Sequence, residues 1–469
     1  MPVHSTYHPA PRFPELGENY ADAVRAADFP RHTLRFRNDR WASAVGLHTL
    51  SDDEWRDHFG RFQPLPDNLS APLALRYHGH QFLVYNPRLG DGRGFLFAQL
   101  HDRDGRLLDL GTKGSGQTPY SRGGDGRLTL KGGVREILAT EMLEARGVYT
   151  SKTFSLIETG EQLYRNDEPS PTRSAVMVRL SHSHVRFGSF QRLAYHNDAR
   201  GVDALMRKCI EWYYPELSGE PDLAAAFLRQ VALRAADMAA GWTAAGFVHG
   251  VLNTDNMNIN GESFDYGPWR FLPALDVDFV AAYFDHGGLY RFGRQAEAVR
   301  WNLEQLGYCL APLSSLETID AAIADFEPIY LRRLTERIID RLGLVSQGDE
   351  ADDALVRRIF AFLQRSELGY AQFFFDWYGG AASHARATGG PSAGFYREQA
   401  FQSIITAMAG WTPKHPERLE HPYFRRPAPV TNLIGTVEAL WTAIDLADNW
   451  QPLYDHIEAI RTMGALRNG

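Results

Sequence analysis

Between residues 76 and 113 the apolar positions come in short blocks that suit strands. Phe95-Leu96-Phe97-Ala98 and Leu107-Leu108-Asp109-Leu110 flank Asp104-Gly105, a pair suited to the positive φ values of a two-residue hairpin turn. The period then changes. Val134, Ile137, Leu138 and Met142 fall on one helical face, so the spacing predicts an amphipathic helix over 132–146, closed by Gly147. The block 174–180 is β-branched and apolar and predicts another strand. The alanine-rich run 223–245 predicts a long buried helix stopped at Gly246. After a polar break at 347–353, helical patterns return near 354–366 and 433–465. Residues 1–60 are mixed, rich in Pro, His and Arg, and read as an extension laid on a larger body. A strand-rich part followed by a helix-rich part predicts an α+β fold.

The chain has 469 residues, 44% hydrophobic and 23% charged, which suits a globular protein of one large domain or two to three ordinary ones. No apolar stretch approaches the roughly 20 residues that cross a bilayer, and the first residues lack the basic-then-apolar layout of a secretory signal. Two cysteines, Cys209 and Cys309, exclude a disulfide framework and a cysteine-rich zinc site, and a cytoplasmic location is expected. The net charge of −8 comes without a basic run, which argues against a nucleic-acid partner but leaves room for a local pocket that takes one nucleotide.

Most of the candidate chemistry lies between His249 and Gly267. Asn260-Gly261 is a strong hairpin signal, and that register would set Asn256 opposite Asp265, with Cβ atoms about 4.5–5.5 Å apart. An amide oxygen beside a carboxylate is the kind of hard donor pair Mg²⁺ takes next to phosphates. Asn and Asp also begin and end hairpins without any chemistry, so the neighbours decide. A loop opened by His249-Gly250 and ended by Asn256, then Asp265-Tyr266-Gly267, resembles the catalytic loop and Asp-Phe-Gly segment of kinases. The kinase pattern places its catalytic Asp two residues after the His. Here that position is Val251, which accepts no proton, and Asp255 is the only carboxylate in the loop.

Upstream, Leu89-Gly90-Asp91-Gly92-Arg93-Gly94 can bring backbone N–H groups to phosphates, although glycine clusters also arise by chance. Lys113 ends the second strand of the predicted hairpin, either as a solvated lysine or as a phosphate-binding one paired with a carboxylate on the next helix. Glu136, in that helix's first turn, is the candidate partner, while Glu141 and Glu144 are expected to face solvent. A second glycine-rich stretch, 122–127, is expected to close over a nucleotide. Arg179 and Arg186 bracket Ser181-His182-Ser183-His184. Two guanidinium forks facing a cleft would suit terminal phosphates, and single surface salt bridges are the commoner use. The His-x-His pair admits a metal site but has no obvious third ligand.

These segments together resemble the selenoprotein O family of pseudokinase-fold protein adenylyltransferases. The matching residues run from Tyr77-His78-Gly79-His80-Gln81-Phe82 to Leu303 and include Gly111-Thr112-Lys113-Gly114-Ser115-Gly116, Ser181-His182-Ser183-His184-Val185-Arg186-Phe187-Gly188 and Asn253-Thr254-Asp255-Asn256-Met257 with Phe264-Asp265-Tyr266-Gly267-Pro268. The resemblance implies a kinase-like bilobal fold, with an extension over 1–60, an N-lobe over 61–178, a C-lobe over 179–346 and a helical region over 347–469. It implies ATP bound in reverse, so that AMP passes to Ser, Thr or Tyr hydroxyls of proteins, redox-related ones among them, with no nucleic-acid or membrane partner. Carried over by position, Asp255 would accept the proton, and Asn256 and Asp265 would hold Mg²⁺ or Mn²⁺. Lys113, paired with Glu136, would contact phosphates; Gly90, Gly92, Arg93, Asp125 and Gly126 would line the nucleotide site; Arg179 and Arg186 would hold the outer phosphates. The chain departs from that family in having no cysteine over 279–295 or near its last residues, so disulfide control is not expected. An atypical kinase using Asp255 and a non-enzymatic nucleotide-binding scaffold are the rival readings.

Overall fold

The computed structural model describes residues 3–166 and 168–468. Its organising element is a curled antiparallel sheet of nine strands: β1 (His8–Pro9), β2 (Ala21–Ala23), β3 (Thr33–Arg37), β4 (Leu73–Leu75), β5 (Leu96–His101), β6 (Leu107–Lys113), β7 (Leu128–Thr129), β8 (Lys152–Leu163) and β9 (Thr172–Ser181). The strands run in the order β2-β4-β5-β6-β9-β8-β3, with β1 on β5 and β7 on β9. Alternation decides the two faces. Ala175 and Met177 of β9 join the core that contains the helix Leu130–Ala145, whereas Val176 and Val178 face a second core with Trp55, Phe59 and Phe154. The first 60 residues thus contribute three strands and close one face of the sheet.

The β5–β6 connection differs from a two-residue turn. His101 pairs with Leu107, leaving five residues, 102–106, in the loop, and only Gly105 has positive φ. The Asp102 carboxylate accepts from the N–H groups of Asp104 and Arg106, which favours the longer turn.

Helix α1 (Leu130–Ala145) is capped by the Thr129 side chain and packs Val134, Ile137 and Leu138 against β8 and β9. Glu136 therefore lies in its second turn. Glu141 and Glu144 do not face open solvent: Arg461 grips Glu141 at 2.8 Å, and Trp41 donates to Glu144 at 3.1 Å. The helical part includes α2 (Phe187–Tyr195), α3 (Leu223–Ala245), α4 (Gln295–Leu310), α5 (Phe326–Arg341), α6 (Asp349–Leu363), α7 (Tyr370–Asp376), α8 (Ile434–Ala447) and α9 (Gln451–Asn468). Helix α3 packs against α4 and α5, and Gly246 ends it in the left-handed region. The acids Asp349, Glu350 and Asp352 start α6 earlier than the apolar period suggests, since they suit a helix N-terminus. The pattern over 433–465 is two helices, broken where Asp448 takes a φ of 48°. Helix α9 returns to pack on α1. No helix among the described residues is long and apolar enough to cross a membrane.

Candidate active site

A cleft of about 750 Å³ opens between the glycine-rich loops around β5–β6 and the segment that carries Asp255 and Asp265. That volume is ordinary for a small-ligand site. Its walls include Gly90, Gly92, Arg93, Lys113, Asp125, Gly126, Arg179, Arg186, Asp255 and Asp265. Of the residues singled out in the sequence, Glu136 and Asn256 do not line it; Glu136 reaches the cleft through Lys113.

Lys113, at the end of β6, bridges two carboxylates: its Nζ is 2.5 Å from Glu136 Oε1 and 2.7 Å from Asp265 Oδ1. Arg179 Nη2 lies 3.4 Å from the same Asp265 oxygen and 3.6 Å from Glu136. Burial alone would push the Asp265 carboxyl up, but Lys113, then Arg179 and Arg186, hold it well below the usual carboxylate range. Asp265 has a φ of 62°, a conformation uncommon outside glycine, and the cations around its side chain fix it there.

Arg186 is buried and stands over the rings of Tyr77 and Phe264, at 4.5 and 5.0 Å from their centroids. Its Nη2 donates to Asp91 Oδ1 at 3.2 Å and its Nη1 to the backbone carbonyl of Asp255 at 2.9 Å. Asp255 itself sits in the 3-10 turn Thr254–Asn256, 8% exposed, and its Oδ1 has no hydrogen-bond partner among the described residues. Burial pushes this carboxyl up to about 6, against the pull of Arg186. Asp255 lines the cleft, and a buried carboxylate there is placed to receive a proton.

The glycines answer to close packing. A Cβ on Gly90 would run into the Tyr120 ring, and one on Gly92 would come within 2.8 Å of the Tyr120 carbonyl. Gly126 has a φ of 68° and lies against the backbone of Gly116. Asp125 accepts from the Arg127 N–H at 2.9 Å and pairs with Arg165 at 2.7 Å across the cleft mouth.

The register expected from Asn260-Gly261 does not form. Asn258 bridges to Arg186 and Ser263 to Thr150, so the two flanks pair with other segments, not with each other. The Asn258 side chain accepts from the N–H groups of Asn260 and Glu262, making a turn over 258–261. Asn256 and Asp265 are therefore not opposed across a ladder. Asn256 Nδ2 donates to the Val251 carbonyl at 3.0 Å. His249 is a structural tie: its Nε2 meets the Phe264 carbonyl at 2.9 Å, and its own N–H goes to Gln295.

The His-x-His pair separates. His182 bonds Tyr149 at 2.5 Å and His184 turns to Asp109 at 3.3 Å, and no group of three His, Cys, Asp or Glu side chains gathers for a metal among the described residues. Of the two expected cation ligands, Asn256 is not among the residues lining the cleft, whereas Asp265 lines it and offers carboxylate oxygen. This is chemistry that fits Mg²⁺ or Mn²⁺ completed by water and phosphate. Sequence reading passed over Asp91 and Tyr77 as the supports of Arg186, and Tyr164, Arg165 and Asn166 at the cleft mouth. The polar turn between β8 and β9 was the only signal for the last three.

A family model described as protein adenylyltransferase SelO matches residues 3–461. The chain is 45% identical to a Synechocystis protein named protein nucleotidyltransferase YdiU, over 98% of each chain. It is 46% identical to the Gloeobacter violaceus protein of that name, over 96% of this chain and 94% of the relative. A Vibrio cholerae relative of the same name is 37% identical, over 80% of this chain and 75% of its own. With a matching model over nearly its whole length and relatives at this identity, the chain belongs to the SelO family of protein adenylyltransferases.

Proposed function

We propose that the protein transfers the AMP part of ATP to Ser, Thr or Tyr hydroxyls of other proteins and releases pyrophosphate. The observation that carries this reading is the Asp255 carboxylate. It is buried, it has one unpartnered oxygen, and it lines the same cleft as Lys113, Arg179, Arg186 and Asp265. The acceptor oxygen would bond to the α-phosphorus as the bond to the β-phosphate oxygen breaks. Asp255 would take the hydroxyl proton, and Lys113, Arg179 and Arg186 would counter the charge of the departing pyrophosphate. Asn256 and Asp265 would hold Mg²⁺ or Mn²⁺, which when bound neutralises phosphate charge. Gly90, Gly92, Arg93, Asp125 and Gly126 would enclose the nucleotide, and Glu136 would orient Lys113.

In this reading the fold is kinase-like and bilobal, with lobes over 61–178 and 179–346, and ATP lies reversed relative to kinases. Val251 favours the reversal, since a kinase-oriented ATP would find no base two residues after His249. Cytoplasmic proteins, among them redox proteins, are the proposed targets.

Incubation with ATP labelled at the α or the γ position tests the reading. Adenylylation leaves only the α label on protein and adds the mass of AMP. Retention of the γ label alone would establish a kinase, and binding without either product a scaffold.

A further inference from the structure

A second cavity, of about 70 Å³, lies far along the chain from the catalytic segment, where the ends of α1, α5 and α9 meet α7. Its wall carries Arg146, Arg341, Lys414, Arg418 and Arg467, with Asp340 as the one acidic side chain among the lining residues. Asp340 is already taken: Arg467 grips it at 2.8 and 2.9 Å, and Lys414 stands 3.5 Å away. Arg146, which follows the last residue of α1, reaches the Val430 carbonyl at 3.5 Å and no other hydrogen-bond partner of its side chain among the described residues.

Arg341 is the decisive group. It ends α5, stacks on the Phe374 ring at 3.9 Å and donates from Nη1 to the Ala244 carbonyl near the end of α3. Helix C-termini favour cations, and that accounts for Nη1. It leaves Nε and Nη2, both buried and both without a partner among the described residues. Those two nitrogens form the fork that grips planar or tetrahedral oxyanions. Elsewhere in this chain the same edge meets a carboxylate, as in Arg127 with Glu161, Arg337 with Asp237 and Arg461 with Glu141. Burial and the neighbouring Arg146 pull the Arg341 guanidinium well below its ordinary range, the response expected of cations crowded together without a counter-charge.

We infer that this cavity is a binding site for a phosphate-sized oxyanion, held on the Nε–Nη2 edge of Arg341 with Arg146 beside it. At about 30 Å³ per water the space takes about two waters, room for one small oxyanion and little more. Bound there, the anion ties the end of α1, the helix that carries Glu136, to α5 and α9.

Two measurements on the full chain test this. Crystals soaked in selenate should show an anomalous peak within hydrogen-bond distance of Arg341 Nε and Nη2. In solution, millimolar phosphate should raise the unfolding midpoint by about 2–4 °C over chloride at equal ionic strength. Arg341→Met should abolish that rise, and Arg93→Ala, in the nucleotide cleft, should keep it. Selenate found only in the cleft, or a full phosphate shift in Arg341→Met, overturns the proposal. Should Arg341→Met fail to fold, the wild-type soak decides alone. Ethyl phosphate separates the sources: an equal shift assigns a phosphate ester, and a shift with phosphate alone assigns the free ion.

Discussion

Arg186 donates from Nη1 to the backbone carbonyl of Asp255 at 2.9 Å, so the cation holds the loop's main chain and leaves the carboxylate free. Its other end closes on Asp91, which is buried with it. Removing the guanidinium should therefore act twice. Arg186→Met strands a buried carboxylate, and a stability loss of about 3–5 kcal/mol is expected in denaturant unfolding. Label transfer from α-labelled ATP should fall by on the order of 100-fold or more. Arg186→Lys should restore part of the stability and little of the transfer, because a compact ammonium lacks the planar guanidinium spread that reaches both partners and stacks on Tyr77 and Phe264.

Asp255→Asn keeps the shape of the loop and removes the proton acceptor. Transfer should drop by about 10²–10⁴-fold, while ATP affinity, read by calorimetry, stays within a few-fold of wild type. A variant that loses binding and transfer together would show Asp255 to be a structural carboxylate.

How far these residues could be read in advance depended on the range of the forces that place them. The strands and helices β6, β9, α1 and α3 follow from local periodicity, and Gly246 ends α3 where expected. Lys113, Arg179, Arg186, Asp255 and Asp265 were legible as a group through motif spacing, and they do share one cleft. The turn at Asn260-Gly261 was misread because its signal is local and its competitors are not. Arg186 and Thr150 capture the flanking residues, and the Asn258 amide closes the turn one residue earlier. Glu141 reads as exposed in α1 until Arg461, 320 residues later, covers it. Asp91 is one acid in a glycine-rich loop, and nothing nearby announces a partner 95 residues away.

The Asn256 amide donates to the Val251 carbonyl, which leaves its oxygen as a donor to a cation. Activity should vanish on chelation and return with Mg²⁺ or Mn²⁺. Asn256→Ala should raise the metal concentration for half-maximal transfer by about 10-fold or more, corresponding to at least ~1.4 kcal/mol of lost binding. An unchanged metal requirement in that variant would remove Asn256 from the site.

Glu262 supplies a pH dependence that is independent of catalysis. It is 4% exposed and accepts the His182 N–H at 2.9 Å, and burial raises its carboxyl to about 7. A folded value above the ordinary one means the native state binds this proton more tightly than the unfolded chain does. The stabilisation is complete below the unfolded value of 4.5 and is lost as pH rises toward 7. The loss should reach about 3 kcal/mol, at 1.36 kcal/mol per unit. Glu262→Gln cannot ionise and should escape it. Unfolding at pH 5 and pH 8 should show the variant gaining on wild type as pH rises, and parallel curves would mean that Glu262 stays charged in the fold.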